Sequence, residues 1–230
     1  NDDKHPGVNH LLNESNPIYI GGNLKCIDLP HHYDYKNLRH SPKALKKKFQ
    51  EMGWNKIVAF QTRNPLHRAH VEMTLKAIKE LDANLLIHPV VGTTKPGDVD
   101  YYTRVRCYNH VLDRYPDNSA ILSLLPLAMR MGGPREALLH AIIRKNYGCT
   151  HLIVGRDHAG PGNDKNGKPF YGPYDAQNII EKYKDEIGIQ MVPFKFLVYV
   201  SDQDSYKPID ELPDGVNYKT ISGSELRRHL

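Results

Sequence analysis

His67 and His70 stand three residues apart in the stretch Gln61-Thr62-Arg63-Asn64-Pro65-Leu66-His67-Arg68-Ala69-His70, a spacing that sets both imidazoles on one face of a first helical turn. Two imidazoles so placed can donate hydrogen bonds to the non-bridging oxygens of a phosphate as charge builds on a phosphorus under attack. That is transition-state stabilisation by fixed donors and needs no proton transfer. A histidine pair that merely caps a helix is the competing reading, and a bare His-x-x-His would favour it. Arg63 and Asn64 in the turn, and a strand before it, tip the balance toward anion chemistry. Zinc is a third and weaker reading, because no His-Glu-x-x-His and no third ligand at a recognisable spacing accompany the pair. No protein-bound metal is expected.

The elements that must hold this stretch are legible around it. The short apolar run Ile57-Val58-Ala59-Phe60 precedes it, and Val71, Leu75, Ile78 and Leu81 follow at helical spacing, so the spacing predicts a strand, a tight turn and a helix N-terminus. Unpaired N–H groups and the helix dipole make that end favourable for polyphosphate. Pro65 fits an early helical position, which can spare its N–H.

From Lys56 onward apolar runs at 57–60, 83–90, 120–125, 151–154 and 191–200 alternate with helical patterns at 67–81, 101–114, 134–146 and 174–187. This predicts an α/β fold, a parallel sheet with helices on both faces. In such a sheet ligands lie beyond the carboxyl ends of the strands, and the unusual segments all follow strands. They are Gln61–His70, Gly92–Asp98, Ala128–Pro134 and Gly155–Gly162. The last of these pairs Arg156 and His158 around Asp157 and then supplies small residues that let backbone approach a ligand closely; an arginine there can clamp a tetrahedral dianion. A tight turn with a solvated Arg–Asp pair is its structural alternative. Gly132-Gly133-Pro134-Arg135-Glu136 reads as a helix start, with Arg130 either capping or binding.

Gly162–Pro169 matches a phosphate-loop pattern except that Pro169 stands where Ser or Thr must hold magnesium, and no helix pattern follows, so it reads as a surface excursion. Phe170, Tyr171, Tyr174 and Tyr183 read as packing. Ser222-Gly223-Ser224-Glu225 reads as a capping box opening a last helix. Residues 1–50 differ from the rest. His5-Pro6-Gly7, Asn16-Pro17 and Gly21-Gly22 punctuate short apolar runs at 18–20 and 24–27, as in the tail of a β-rich domain, and Ser41-Pro42 then opens a linking helix through Phe49.

The 230 residues are 40% hydrophobic and 25% charged, enough for a substantial core. The net charge of +5 is spread out apart from Lys46-Lys47-Lys48, which suits small anionic substrates better than nucleic acid. Cys26, Cys107 and Cys149 are few and far apart, so neither a disulfide framework nor a structural zinc site is expected, and the compartment reads as reducing. No apolar run reaches the ~18 residues of a membrane span. The chain starts at Asn1 without Met, so a targeting segment is neither expected nor excluded.

Four stretches together carry a family resemblance: Gln61–His70, Met129-Arg130-Met131-Gly132-Gly133-Pro134-Arg135-Glu136-Ala137, Gly155-Arg156-Asp157-His158-Ala159-Gly160-Pro161-Gly162, and Ile221-Ser222-Gly223-Ser224-Glu225-Leu226-Arg227-Arg228. Across essentially the whole chain it resembles the ATP sulfurylases (sulfate adenylyltransferases) of fungi and many bacteria. The resemblance implies a Rossmann-like nucleotidylyltransferase fold at 51–230, stopping before a small C-terminal region, with 1–50 closing a PUA-like domain. It implies that MgATP and sulfate give adenosine 5′-phosphosulfate and pyrophosphate, in a cytoplasmic or organellar homo-oligomer with no nucleic-acid or membrane partner. By matching positions it implies sulfate binding by Gln61, Arg63, Arg156 and the backbone of Ala159. Thr62, Arg63 and Asn64 fall on the family's catalytic segment, with Asn64 and its neighbours Gln61 to Arg63 facing ATP, and His67 and His70 stabilise the transition state. Gly155, Arg156, Asp157 and His158 line the nucleotide site, and Leu197 meets adenine through its backbone. Leu197 stands for a family Val and Ser224 for a common Thr. A different nucleotidylyltransferase, or a catalytically silent nucleotide-binding module, are the alternatives; the first would want a second cationic cluster for a larger acceptor.

Overall fold

An unbroken apolar run such as Ile57-Val58-Ala59-Phe60 suits a strand covered on both faces, and in the computed structural model it is buried along its whole length. The structure describes residues 2–93 and 97–220. In chain order the regular elements are α1 (Pro6–Asn9), α2 (Pro42–Glu51), β1 (Ile57–Phe60), α3 (Arg68–Leu81), β2 (Asn84–Ile87), α4 (Tyr101–Leu112), β3 (Ala120–Leu122), α5 (Pro134–Asn146), β4 (His151–Val154), α6 (Asp175–Ile187), β5 (Gln190–Pro193), β6 (Leu197–Val200) and β7 (Ser205–Pro208). Five strands form one sheet in the order β3-β2-β1-β4-β5, each pairing parallel, and β6 and β7 form a separate antiparallel hairpin. This is the α/β, Rossmann-like arrangement.

Side chains alternate across a strand, so β1 feeds two apolar layers. Ile57 and Ala59 join Leu86, Leu152 and Val154 against Leu45 and Phe49 of α2, Ala137 and Ala141 of α5 and Ile180 of α6. Val58 and Phe60 join Leu85, Ile87 and Ile153 against Met73 and Ile78 of α3 and Val105 and Tyr108 of α4. Helices therefore cover both faces, and the linking helix α2 docks into the first layer. Its start is as its sequence requires: Ser41 Oγ accepts the Ala44 N–H at 3.2 Å and Pro42 takes the first turn.

Two expectations are corrected. The runs at 18–20 and 24–27, read as pieces of a β-rich domain, form no strand; Ile20, Leu24 and Ile27 are at least 95% exposed, and a strand needs a hydrogen-bonded neighbour that they do not have among the described residues. The apolar run 191–200 is two strands in two sheets, because the chain leaves the parallel sheet after Phe194, whose N–H donates to Val154 O at 3.0 Å, and turns into the hairpin at Leu197. The excursion at Gly162–Pro169 is a tight loop closed by an Asn163–Pro169 bridge and by Asp164 N–H to Lys168 O at 2.7 Å, with no helix after it. Ser222–Glu225 and Thr94–Pro96 lie outside the described residues.

Gly133 opens α5 at φ 54° and ψ −123°, and a Cβ there would sit 2.4 Å from the Tyr171 ring. Gly133→Ala combines backbone strain with a steric clash, and we expect it to lower unfolding free energy by about 2–3 kcal/mol, read from the denaturant midpoint.

Candidate active site

The strand order reverses between β1 and β4: the sheet runs from β1 outward through β2 and β3 on one side, and through β4 and β5 on the other. That switch point is where an open parallel sheet leaves a crevice at its carboxyl edge. A cleft of about 380 Å³ lies there. The structure brings Gln61, Thr62, Arg63, Asn64, His67, His70, Gly155, Arg156, Asp157, His158, Ala159 and Leu197 together around it.

The turn after β1 is braced from within. Thr62 Oγ1 accepts the Asn64 N–H and donates to Asn64 O, both at 3.0 Å, and Tyr108 Oη donates to the same carbonyl at 2.8 Å. Thr62 is itself buried, so its hydroxyl shapes the turn that Arg63 and Asn64 occupy. Arg63 Nη1 pairs with Asp98, whose side chain is 5% exposed. Gln61 Nε2 rests 3.7 Å from Met129 Sδ, while its Oε1 is buried without a hydrogen-bond partner among the described residues.

His67 is the N-cap of α3, and its N–H is 3.4 Å from His70 Nδ1. The rings are 4.0 Å apart between centroids, and His70 packs against Phe60. Capping and lining the cleft are thus one arrangement rather than rivals. Burial lowers the pKa of both histidines, and the neighbouring His67 adds to the effect on His70, which is pushed down to about 3. Both rings are neutral near pH 7. With Nδ1 of His70 turned to the His67 N–H, its proton sits on Nε2, a donor.

A depressed histidine pKa makes stability pH-dependent with a definite sign. Above the ordinary value of 6.5 neither the folded nor the unfolded chain holds the proton; below it the unfolded chain takes the proton up while folded His70 resists until about pH 3. Unfolding free energy should therefore fall as pH drops from 6.5, by at most about 1.4 kcal/mol per pH unit for this group, and His88, lowered by burial and by Arg144, adds in the same direction. Denaturant melts at pH 7, 6 and 5 check it: His70→Phe should show a shallower slope than the parent.

The loop after β4 carries two non-glycine residues in the left-handed region, Asp157 at φ 54° and Ala159 at φ 57°. It is held by Asp157 N–H to Pro173 O at 2.7 Å and by Gly133 N–H to Ala159 O at 3.0 Å. At Gly160 a Cβ would lie 1.8 Å from an Asp157 carboxylate oxygen, so the loop can close only on glycine. Arg156 is exposed, with its guanidinium 5.3 Å from the Phe196 ring centroid. Leu197, at the start of β6, bounds the cleft opposite.

Some of the neighbourhood escapes sequence reasoning. Asp98 meets Arg63 across 35 residues, and nothing local signals it. Met129, Phe194 and Phe196 add apolar wall. Arg130, by contrast, is exposed and borders a separate hollow beside Pro6, Gly7 and His10; the helix start it precedes is structural, Glu136 accepting the N–H groups of Arg130 and Gly132 at 2.9 and 2.8 Å. Among the described residues no three His, Cys, Asp or Glu side chains gather as metal ligands.

The family model for ATP-sulfurylase matches residues 36–230. The chain belongs to the ATP-sulfurylase family. Proteins named sulfate adenylyltransferase are similar along its whole length: one from Yarrowia lipolytica is 58% identical over 229 residues, covering 100% of this chain and 40% of the relative. Another from Eremothecium gossypii is 58% identical over 229 residues, covering 100% of this chain and 46% of that relative. The chain thus spans under half the length of these curated relatives. A solved structure titled "Hexameric APS kinase from Thiobacillus denitrificans" superposes with a TM-score of 0.70 at 35% identity, covering 87% of this chain and 37% of that one.

Proposed function

We propose that this ATP-sulfurylase chain carries the adenylyl-transfer site of a sulfate adenylyltransferase, joining MgATP and sulfate into adenosine 5′-phosphosulfate and pyrophosphate. The observation that carries the reading is the convergence of two arginines, Arg63 and Arg156, and two neutral histidines, His67 and His70, on one cleft at the strand-order reversal. Sulfate is small and doubly negative, so Gln61, the forked donors of Arg63 and Arg156 and the backbone of Ala159 suit it, with no further cationic cluster needed. Asn64 and Gly155 to His158 take the nucleotide, and Leu197 meets adenine through its backbone. A sulfate oxygen attacks the α-phosphorus, forming the phosphosulfate bond as the bond to pyrophosphate breaks; positioning and charge stabilisation supply the rate. Magnesium enters with ATP as part of the substrate.

In this reading 51–230 is the catalytic domain, and residues 1–50, whose runs at 18–20 and 24–27 form no strand, belong with a PUA-like domain and connect through α2, whose Leu45 and Phe49 dock on the catalytic core. A homo-oligomer is part of it, supported by the hexamer named for the similar solved structure. No described helix is long and apolar enough to cross a membrane. The three cysteines are free thiols, which suits a reducing compartment such as the cytoplasm. The test is pyrophosphate release from ATP with sulfate, selenate or molybdate as acceptor, the molybdate product hydrolysing to AMP. Release with those anions and competition by chlorate are expected; efficient transfer to a sugar phosphate or to nicotinamide mononucleotide would favour another nucleotidylyltransferase, and ATP binding without release a silent module.

A further inference from the structure

Behind the β4 loop, α5 carries Glu136, His140 and Arg144 at four-residue steps, so the three share one face, and that face is turned inward: Glu136 is 6% exposed, and His140 and Arg144 are fully buried. Polar groups in an apolar layer are costly unless their hydrogen-bonding capacity is used. Here that capacity is only partly used, since His140 Nε2 and the Nε and Nη1 of Arg144 have no hydrogen-bond partner among the described residues, and the groups line up toward the cleft. The Glu136 carboxylate is held by the N–H groups of Arg130 and Gly132 and stands 3.7 Å from His140 Nε2. His140 Nδ1 is 3.0 Å from His158 Nε2, and His158 lines the cleft. Arg144, the cation beside both rings, gives its Nη2 proton to His88 O at 2.9 Å.

We propose that Glu136 and His140 are positioning residues that fix the proton of His158 on Nε2 and so keep its Nδ1 as a bare hydrogen-bond acceptor for a ligand of the cleft. At 3.7 Å the Glu136 carboxylate is beyond hydrogen-bond distance of His140 Nε2, which is buried without a hydrogen-bond partner among the described residues, but the negative charge beside that nitrogen favours the proton there and leaves the other nitrogen bare. That bare Nδ1 faces His158 Nε2, which must then be the N–H donor. Burial lowers the pKa of both rings, Glu136 opposing it at His140 and Arg144 adding to it at both, so each ring is left with a single proton to place. The contact also pins a strained loop, since His158 lies between Asp157 and Ala159, both at positive φ. A bare nitrogen is repelled by phosphate oxygens and accepts from a neutral donor. The matching groups of a nucleotide are a ribose hydroxyl or the amino group of a base, so His158 reads the nucleoside end and leaves the polyphosphate to the arginines. That ligand class rests on the nucleotide reading above; the proton positions do not.

Nitrogen-15 NMR of the histidine-labelled intact protein at neutral pH tests the proton positions directly, with His140→Phe and His158→Phe assigning the signals. Both rings are expected in the neutral Nε2–H form. Either ring in the Nδ1–H form, or doubly protonated, overturns the proposal whether or not any variant folds. Calorimetry then tests the consequence. His140→Phe, which keeps the bulk and loses the acceptor, should weaken ATP binding about tenfold while leaving pyrophosphate binding unchanged, and His140→Asn, whose side-chain oxygen can take the place of Nδ1, should recover part of the loss. Equal losses in the two variants, or an equal loss for pyrophosphate, would reduce His140 to packing and overturn the proposal. Should the parent protein bind no ATP, the nucleotide reading fails and the NMR result alone decides the proton relay.

Discussion

Arg63→Ala and Arg156→Ala are each expected to lower turnover with sulfate by about 10²- to 10³-fold, the range for losing one donor to the reacting charge. Sulfate is a weak nucleophile whose charge must be stripped of water and aimed at phosphorus, and a guanidinium can do both because its planar fork matches two oxygens of a tetrahedral anion. The two arginines reach the cleft under different restraints. Arg63 is held by Asp98, so its side chain is already restrained without a ligand. Arg156 is exposed and rests against the Phe196 ring, so it becomes ordered at a greater entropic cost. Phe196→Leu should therefore cost a few-fold in KM for sulfate through Arg156, of the order of one exposed cation–π contact. Arg63→Lys keeps the charge and loses the fork, so its rate should lie between alanine and parent. Steady-state kinetics with sulfate, alongside melting curves, check all four variants. Normal turnover in either alanine variant, or unfolding as the sole cause of loss, would remove the oxyanion assignment.

The elements were readable because apolar periodicity reports burial, and along β1 burial follows the apolar residues. α5 breaks that link. Leu139 and Ile142 are 46% exposed while His140 and Arg144 are fully buried, so its inward face sets polar residues at 136, 140 and 144 beside the small Ala137 and Ala141. A reader of periodicity turns that helix the wrong way and misses the chain of contacts behind His158. The signal was present as a four-residue polar step, but such a step on a helix more often marks a solvated stripe. The runs at 18–20 and 24–27 fail for another reason: strand propensity is realised only against a partner, and the sequence of one segment does not contain its partner. The site itself was more legible than its surroundings. Its residues sit in contiguous motifs directly after β1 and β4, and the parallel topology alone brings those two ends together. The Arg63–Asp98 pair depends on how a distant loop folds back, which no local pattern carries.

His67→Ala and His70→Ala should each lower the maximal rate by about 10²-fold or more while changing ATP affinity much less. The geometry gives the reason for the split. Burial keeps both rings neutral, so on the proposed function they would contribute little attraction to a ground-state polyphosphate. A neutral N–H aimed at an oxygen becomes stronger as negative charge accumulates there, which happens on the way to the transition state. His70 is the better aimed of the two, because the contact of its Nδ1 with the His67 N–H holds the proton on Nε2. Removing the His70 ring also withdraws a packing partner of Phe60 and the contact at the start of α3, so His70→Ala should cost about 1 kcal/mol of stability on top of the rate. His70→Gln offers a long side chain with an N–H donor near the Nε2 position, and it should recover part of the rate. Were these rings only caps, the variants would lose stability and keep their rate per folded molecule. Were they metal ligands, chelator would inactivate the protein beyond what excess magnesium restores, and elemental analysis would find stoichiometric zinc. Equilibrium ATP binding measured beside steady-state rates separates the three roles, and a parallel loss of binding and rate would count against transition-state donation.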